Sequence, residues 1–303
     1  MTAHADQSAL ETMAKFRECY STGTESIESR IEREVIGFPG ATGYTTFEQV
    51  GDLTNALRLP RRARILDVGS GAGWPALPVA SATAAHTVLT DLVSEGVTRA
   101  LRCPGCADWR TAPAVAVASG AALPFKARSF DAVTHADVLC CVGPKLRMLT
   151  ASRRVLKPGG RTAFFTIHVA PALSPSARRD FARSRSFHAY SPSPVTDLLA
   201  TAGFADIEER DVTPAYLHTA CAWYEAWTRH ETEARALLGS VKFDEQQAYR
   251  LESIRGIEGG FLKRSLFSAM RPHPRIPFAI PSTDPPCGDP PDDGADRPLQ
   301  SAC

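Results

Sequence analysis

A glycine-rich turn between a buried strand and a helix restricts the fold more than any other feature of this sequence. The segment "ILDVGSGAGWPALPVA", residues 65–80, begins with the apolar run that is typical of a strand buried on both faces of a parallel sheet. Glycines follow at positions 69, 71 and 73, where the missing side chains let a ligand approach the main chain. The first turn of the next helix directs free N–H groups towards an anionic ligand. The segment therefore predicts an α/β fold with a ligand site at the carboxyl end of this strand.

The spacing of these glycines distinguishes between cofactors. A dinucleotide-binding turn needs its third glycine at position 74, where this chain has Trp74, so the sequence argues against NAD and FAD. A GxGxG turn with an acid two residues before it, here Asp67, resembles the first motif of the class I S-adenosylmethionine (SAM)-dependent methyltransferases. The resemblance implies that SAM is the cofactor. It also implies that the turn contacts SAM through Asp67, Gly69, Ser70, Gly71 and Gly73.

Later segments extend this resemblance over about residues 44–213, and the last strand extends it to about residue 270. "HTVLTDL" places Asp91 where the family has the acid that accepts hydrogen bonds from both ribose hydroxyls of SAM. "ASGAALPFKARSFDAVTHADVL" and "RRVLKPGGRTAFFTI" are similar to the next segments of the family and imply cofactor contacts at Ser119, Gly120 and Ala136. Ser119 departs from the pattern, because many relatives have an aspartate there. The chain is most similar to small-molecule enzymes that resemble the C-methyltransferases of ubiquinone and menaquinone biosynthesis.

Alternating apolar and helical segments predict the domain organisation. Residues 1–60 form an N-terminal helical segment, in which Ser8 with Glu11 and Thr45 with Glu48 fit capping boxes. The SAM-binding domain spans residues 61–270 and includes a helical insertion at about 214–259, before the last strand. Strands are predicted at Ile65–Val68, Thr87–Thr90, Ala114–Ala118, Phe130–Thr134, Thr162–Ile167 and Ala205–Val212, and in "GFLKRSLFSAM". Together with the resemblance, this order predicts a Rossmann-like, seven-stranded, mostly parallel sheet with helices on both faces.

Residues 271–303 differ from the rest of the chain in composition. They contain 9 of the 23 prolines and five aspartates, with almost no apolar periodicity. Such a composition cannot offset the entropy of ordering, so the sequence predicts a disordered tail. The tail has no PxxP core flanked by basic residues, which argues against a role as a proline-rich ligand for a partner.

Composition limits the function classes. The net charge of +1 argues against the strongly basic footprint of a nucleic-acid-binding protein. The N-terminal segment has acidic residues early and no apolar core, and no segment reaches 18 uncharged apolar residues, so we expect a cytoplasmic protein that does not contact the membrane. Eight cysteines without regular spacing predict reduced thiols. The oligomeric state cannot be inferred from the sequence.

Few residues are obligatory for methyl transfer, which mainly requires near-attack geometry and, for a hydroxyl acceptor, a base. His168 at the end of the fifth strand is the leading candidate base, because imidazole titrates near neutral pH. His135 and Asp137 lie in the loop after the fourth strand and are the other candidates. Each of the three could instead have a purely structural role.

Other segments could select the acceptor or hold a metal. "SARRDFARSRSF" carries Arg178, Arg179, Arg183 and Arg185 and forms either a lid over an anionic acceptor or a solvated helix face. In the later insertion, four aromatic residues wall a pocket or pack against the sheet: Tyr216, Trp223, Tyr224 and Trp227. Cys140 and Cys141 allow a thiol or arsenite acceptor, but no third thiol follows at a matching spacing. No second pair of ligands accompanies Cys103 and Cys106 in the sequence, so no metal site is predicted.

The sequence therefore predicts a SAM-dependent methyltransferase that acts on a small-molecule acceptor, with O-methylation favoured over C- or N-methylation. Two alternatives remain open at this point. A nucleic-acid methyltransferase fits the arginine-rich stretch but lacks the Asn-Pro-Pro-Tyr type of loop and the Pro-Cys dipeptide of base-modifying enzymes. A non-catalytic SAM-binding regulator would explain Ser119 and the irregular start of the helix after the glycines.

Overall fold

The computed structural model describes residues 26–102, 112–170 and 191–274, together with the single positions 13, 14, 16, 17, 20, 174, 176 and 189. Its strands are β1 (Arg64–Val68), β2 (His86–Asp91), β3 (Ala114–Val117), β4 (Phe130–Ala136), β5 (Leu156–Val169), β6 (Ala205–Asp211) and β7 (Leu262–Met270). They form one seven-stranded sheet in the order β3-β2-β1-β4-β5-β7-β6. Neighbouring strands from β3 to β5 are parallel, and β7 is antiparallel to both β5 and β6. The predicted fold class is confirmed.

Helices occupy the connections and cover both faces of the sheet. They are α1 (Ile27–Val35), α2 (Phe47–Leu57), α3 (Ala76–Thr83), α4 (Ser94–Leu101), α5 (Lys145–Val155), α6 (Val195–Thr201), α7 (Thr213–Arg229), α8 (Glu231–Leu238) and α9 (Ser240–Glu258). One core packs α5 and α6 against residues such as Phe164 and Phe267. The core on the opposite face packs α2 and α3 against Ile65 and Phe165. Because successive strand residues point to opposite faces, Phe164 and Phe165 contribute to different cores.

Two helix starts show how local sequence determines the local structure. The capping box of α2 uses Thr46 and Gln49, so the predicted pairing of Thr45 with Glu48 is wrong by one residue. Thr45 is 1% exposed and its hydroxyl instead accepts a hydrogen bond from Arg264. The helix after the glycine turn begins at Ala76, after a cis Trp74–Pro75 bond. Pro78 therefore falls in the first helical turn, where its missing N–H costs no intrahelical bond.

Several sequence predictions concern the second half of the chain. Three helices, α7 to α9, form the predicted insertion before the last strand. Arg271, the first residue of the predicted tail, is anchored to the sheet: its N–H donates to Gly160 O and its carbonyl accepts from Gly159 N, both at 2.8 Å. The remaining tail from residue 275, the arginine-rich segment 177–188, the Cys103–Cys106 pair and the Ser8–Glu11 box lie outside the described residues. The domain boundaries stay predictions.

Candidate functional site

The predicted cofactor residues meet at one edge of the sheet because four parallel strands end there side by side. In the order β3-β2-β1-β4, the strands bring together Ser119, Asp91, the glycine turn and Ala136 at their carboxyl ends. Ligands of open parallel sheets bind in the crevice beyond these ends. The topology thus assembles a site from residues that are up to about 70 positions apart in the sequence.

Backbone hydrogen bonds hold the glycine turn against the end of β2. The N–H groups of Gly69 and Ser70 both donate to Thr90 O, at 2.7 and 2.9 Å, and Gly73 N donates to Ser70 O at 2.7 Å. Gly71 has a φ of +49°, and an added Cβ there would lie 2.6 Å from the hydroxyl of Tyr20. An L-residue at position 71 would therefore be strained and would clash with this ring. The turn can pack this closely against its neighbours only because its glycines lack side chains.

Asp67 is the most unusual polar residue of the site. It lies at the end of β1, is 1% exposed, and neither carboxylate oxygen has a hydrogen-bond partner among the described residues. Burial, and secondly the nearby charge of Asp91, raise the pKa of Asp67 well above its ordinary value. A buried carboxyl without partners is costly unless a cation or a donor reaches it. The position therefore suits a ligand that brings positive charge.

Asp91 ends β2 and connects the turn to the next helix. Its Oδ2 accepts from Gly71 N at 2.8 Å and its Oδ1 accepts from Val93 N at 3.1 Å. Burial raises the pKa of Asp91, while these backbone N–H groups act in the opposite direction. A carboxylate offers about four lone-pair sites, so two remain for further donors such as ribose hydroxyls. Asp91 is thus placed to hold the loop and a ligand at once.

The other predicted cofactor residues border the same crevice. Ser119 is exposed after β3, and its hydroxyl accepts a 3.3 Å hydrogen bond from Ala121 N. Gly120 packs so closely that an added Cβ would lie 2.9 Å from Val68 Cγ1. Ala136 is half-buried at the end of β4. The structure therefore brings all nine predicted cofactor residues to the carboxyl edge of β1 to β4.

The three candidate bases do not come together. Asp137 has a φ of +56° and forms a bidentate ion pair with Arg264, whose Nε and Nη2 lie 2.8 and 2.9 Å from its two oxygens. Arg264 is completely buried on β7, stacks on Phe165 at 4.5 Å, and also donates to Gln49 Oε1 at 3.0 Å. Both oxygens of Asp137 are therefore committed to a guanidinium, and the ion pair joins β4 to β7 and to the start of α2.

His135 and His168 lie on the opposite face of the sheet from this ion pair. His135 is 1% exposed and stacks on Phe164 at 4.2 Å, and burial lowers its pKa to about 3. His168 Nε2 lies 3.0 Å from Ser265 Oγ, and this hydroxyl donates to Glu209 Oε1 at 2.9 Å. Burial lowers the pKa of His168 as well, while Glu209 acts to raise it. His168, unlike His135, lines a cavity, whose wall includes Thr166, Lys145, Val195, Glu209 and Phe267.

Sequence reasoning missed Arg264, although the sequence offered one signal for it. Arg264 is a charged residue in a strand whose other residues become largely buried. A buried arginine needs a carboxylate, but the partner lies 127 residues earlier in the chain. No local spacing could have identified Asp137 as that partner.

A second cluster, here called the apolar wall, lies beyond the ends of β4 and β5. It contains Cys140, Ile167, Val169, Ala189, Tyr216, Ala220, Ile254, Ile257 and Leu262, with Tyr44, Cys141, Leu217, Cys221 and Tyr224 packed against them. Two of the predicted insertion aromatics, Tyr216 and Tyr224, belong to it, and Trp227 packs in a separate cluster with α1. Trp223 donates from Nε1 to Gly43 O at 3.1 Å. The insertion thus contacts both the sheet edge and the segment before α2.

The two neighbouring cysteines are held close together. Cys140 Sγ lies 3.9 Å from Cys141 Sγ and donates to Asp137 O at 3.0 Å. The hydrogen bond with Cys141, together with burial, raises the pKa of the Cys140 thiol well above its ordinary value. Within the described part of the chain, no three His, Cys, Asp or Glu side chains are arranged to hold a metal ion.

Comparison with known proteins identifies the family. Residues 66–164 match the family described as "Methyltransferase domain". Over 172 residues the chain is 31% identical to a demethylmenaquinone methyltransferase from Clavibacter sepedonicus, and the match covers 50% of this chain and 69% of that protein. The chain belongs to the class I SAM-dependent methyltransferases. Both the enzyme class and the cofactor predicted from the sequence are those of this family.

Two further similarities are partial. The methyltransferase is 30% identical over 128 residues to sterol methyltransferase-like 1 from Botryococcus braunii, which covers 42% of this chain and 33% of that protein. Its fold is similar to that of phosphoethanolamine N-methyltransferase 2 from Haemonchus contortus, with a TM-score of 0.69 and 19% identity over 85% of this chain and 60% of the other. The chain thus spans less than two thirds of the length of either protein. No helix in the described ranges is both long and apolar enough to cross a membrane.

Proposed function

We propose that this methyltransferase transfers the methyl group of SAM to a small-molecule acceptor. The observation that carries the proposal is the buried, unpartnered carboxyl of Asp67 beside the glycine turn. In this family the cofactor has a positively charged sulfonium and an ammonium group, which is the kind of ligand charge that Asp67 requires. An anionic ligand, or a neutral one without a hydrogen-bond donor, would leave the carboxyl without compensation at the same place.

Each residue of the crevice has its own proposed role in cofactor binding. Asp67 would face the positive charge of the cofactor, and Asp91 would accept the ribose hydroxyls with the lone pairs that Gly71 and Val93 do not use. Ser119 and Gly120 would hold the adenine, and Ala136 would lie near the methyl group. When bound, SAM supplies an electrophilic methyl group, so the protein has to position it and exclude water.

Oxygen is the acceptor atom that the sequence favours, and His168 is the base that such a reaction would use. Asp137 is committed to Arg264, and His135 is buried without a partner for Nδ1 among the described residues, so neither is placed as well. His168 borders a cavity and is held by Ser265 and Glu209. A neutral amine can attack without first losing a proton, and a protein of similar structure is named as an N-methyltransferase.

Labelled SAM and a panel of hydroxyl, amine, carboxyl and activated-carbon acceptors test this proposal. We expect methylation of at least one acceptor, and mass spectrometry of the product shows which atom carries the methyl group. With an oxygen acceptor, His168→Gln should lower turnover by about 100-fold or more and leave SAM affinity unchanged. His86→Gln is the matched control, because His86 is exposed at the start of β2. Equal turnover of the two variants would remove His168 from the mechanism.

Two outcomes would replace the proposal with the alternatives. SAM binding without turnover on any small molecule, but with methylation of RNA or DNA, would indicate a nucleic-acid methyltransferase. SAM binding without any turnover would indicate a regulator that uses the cofactor as a ligand. The net charge of +1 supports the small-molecule function over the nucleic-acid one.

A further inference from the structure

Arg250 on α9 is half-buried and differs from the buried arginines in its partners. Arg99, Arg161 and Arg264 each form an ion pair, with Glu32, Asp206 and Asp137. The guanidinium of Arg250 instead donates to two neutral oxygens, Gln247 Oε1 at 3.0 Å and Gln246 Oε1 at 3.1 Å. Its Cζ lies 4.4 Å from the ring centroid of Trp227. No carboxylate in the described part of the chain forms an ion pair with it.

The environment of Arg250 penalises its charge. Burial lowers the pKa of Arg250 to about 10, so the guanidinium stays protonated at neutral pH while having lost much of its hydration. An aromatic face and amide oxygens compensate a cation only in part. A guanidinium in this state is well suited to a planar oxyanion, which it binds with two parallel N–H groups.

The position of Arg250 connects it to the apolar wall. Ile254 and Ile257 belong to the apolar wall and follow Arg250 by four and seven residues on α9, so Arg250 lies on the same face of this helix. The ring of Tyr44 meets that of Tyr216 edge-on at 4.7 Å, and its N–H lies 3.5 Å from Asp137 Oδ2. Asp137 directly follows β4, next to the crevice assigned to SAM. The face of α9 that carries Arg250 therefore contacts the apolar wall, and Tyr44 connects this wall to Asp137 beside the cofactor crevice.

We propose that Arg250 binds an oxyanion, a carboxylate or a phosphate, of the methyl acceptor, and that the rest of the acceptor packs on the apolar wall. This inference rests on the proposed methyltransferase function and narrows its substrate class to amphipathic acids. It also implies an acceptor that is methylated without His168 as its base, because Ile167 and Val169 of the apolar wall alternate with His168 along β5 and face the other side of the sheet. The wall supplies aromatic and aliphatic contact area, and Arg250 fixes which end of the acceptor faces the cofactor.

Inorganic phosphate tests the anion site without knowledge of the acceptor. At constant ionic strength maintained with sodium chloride, saturating phosphate should raise the Tm of the wild type by a few degrees. Arg255→Met is the matched control, because Arg255 is exposed on the same helix, and it should respond like the wild type. Arg250→Met should lose the response. No response of the wild type, or equal responses of all three proteins, would refute the anion site.

A panel of acceptor acids, each paired with its methyl ester, tests the substrate class. The wild type should prefer the acids by at least about tenfold in kcat/KM, which corresponds to about 1.4 kcal/mol. Arg250→Met should abolish this preference through KM, with kcat and SAM affinity largely retained, and Arg250→Lys should restore part of it. Methylation without preference for acids contradicts this inference alone. Failure of the wild type to methylate any acceptor contradicts the proposed function as well.

Discussion

The two halves of the sheet edge are built in different ways. The cofactor half, from β1 to β4, uses backbone N–H groups and short-range loops, as in the bonds from Gly71 and Val93 to Asp91. The acceptor half, beyond β4 and β5, uses side chains from distant segments: Arg264 and Gln49 are 215 residues apart, and Trp223 and Gly43 are 180 residues apart. Its walls therefore depend on how the insertion and the N-terminal helices pack.

This difference indicates how each half can vary. A backbone-built loop tolerates few changes, because glycines and a carboxylate must occupy fixed positions in the sequence. A side-chain-built wall can be rebuilt by exchanging residues on α7 and α9 while the cofactor half stays the same. This arrangement allows proteins of the same fold to bind one cofactor and different acceptors.

The largest expected effect lies in the acceptor half. Arg264→Met should lower the free energy of unfolding by about 3–5 kcal/mol, because it leaves Asp137, whose side chain is only 11% exposed, without its cation. Denaturant unfolding measures this change. Arg58→Met is the control, since its partner Glu208 and Arg58 itself are both 56% exposed, and it should cost less than about 1 kcal/mol. Equal losses in the two variants would show that the buried network does not organise this half.

The next effect concerns the cofactor half. Asp91→Ala should weaken SAM binding by at least about tenfold, because a hydrogen bond to a charged group is worth about 1.5–3 kcal/mol. Asp91→Asn keeps an acceptor and should fall between alanine and wild type. Calorimetry measures affinity, and Asp197→Ala, an exposed carboxylate on α6, is the control. The loss should appear in KM for SAM more than in turnover at saturation. If alanine at position 91 binds SAM as tightly as the wild type, the assigned crevice is wrong.

A smaller effect is the pH dependence of SAM binding through Asp67. In the free protein its pKa is raised, and a bound cation should lower it, so binding releases a proton between these two pKa values. SAM affinity should therefore increase with pH across this window, by at most about tenfold per pH unit. Calorimetry in buffers with different ionisation enthalpies counts the proton. Asp67→Asn should remove the dependence, whereas a slope that persists in this variant would assign the proton to another group.

The smallest effect should come from the C-terminal tail. Deletion of residues 275–303 should change the free energy of unfolding by no more than about 0.5 kcal/mol and leave SAM affinity unchanged. Deletion of residues 271–303 should lower the free energy of unfolding by more, because Arg271 donates to the carbonyls of Arg153, Arg154 and Leu156. Thermal unfolding of the two truncated proteins measures the difference. A large loss on the shorter deletion would show that the tail packs on the domain.

The sequence could predict that the proposed cofactor residues meet at one edge of the sheet, because the signals for this are local. The glycine turn, the acid after β2 and the order of the strands can each be recognised within a short window, and the topology then brings Asp67, Asp91 and Ala136 together. The boundaries were less certain: the α2 capping box was displaced by one residue, because Thr45 and Thr46 are equally good caps until Arg264 engages Thr45.

The acceptor half could not be predicted in the same way. His135 and Asp137 are two residues apart, a spacing that would put them on one face of a continuous strand. Because β4 ends at Ala136 and Asp137 has a φ of +56°, the two side chains lie on opposite faces instead, and only tertiary contacts show that Asp137 meets Arg264. Arg250 gave no signal, because an arginine in a polar-rich helix resembles any solvated residue. Its missing carboxylate becomes visible only when the packing of α7 against α9 is known.

One atom of Gln49 takes part in both a local helix cap and a long-range side-chain contact. Its Oε1 accepts from Thr46 N at 3.3 Å, which closes the capping box of α2, and from Arg264 Nη1 at 3.0 Å. A capping box ordinarily accepts glutamate as readily as glutamine. Here a glutamate would place a second carboxylate on the guanidinium that already binds Asp137. Among homologues that keep Arg264, positions 49 and 137 should therefore covary, with an acid at only one of them.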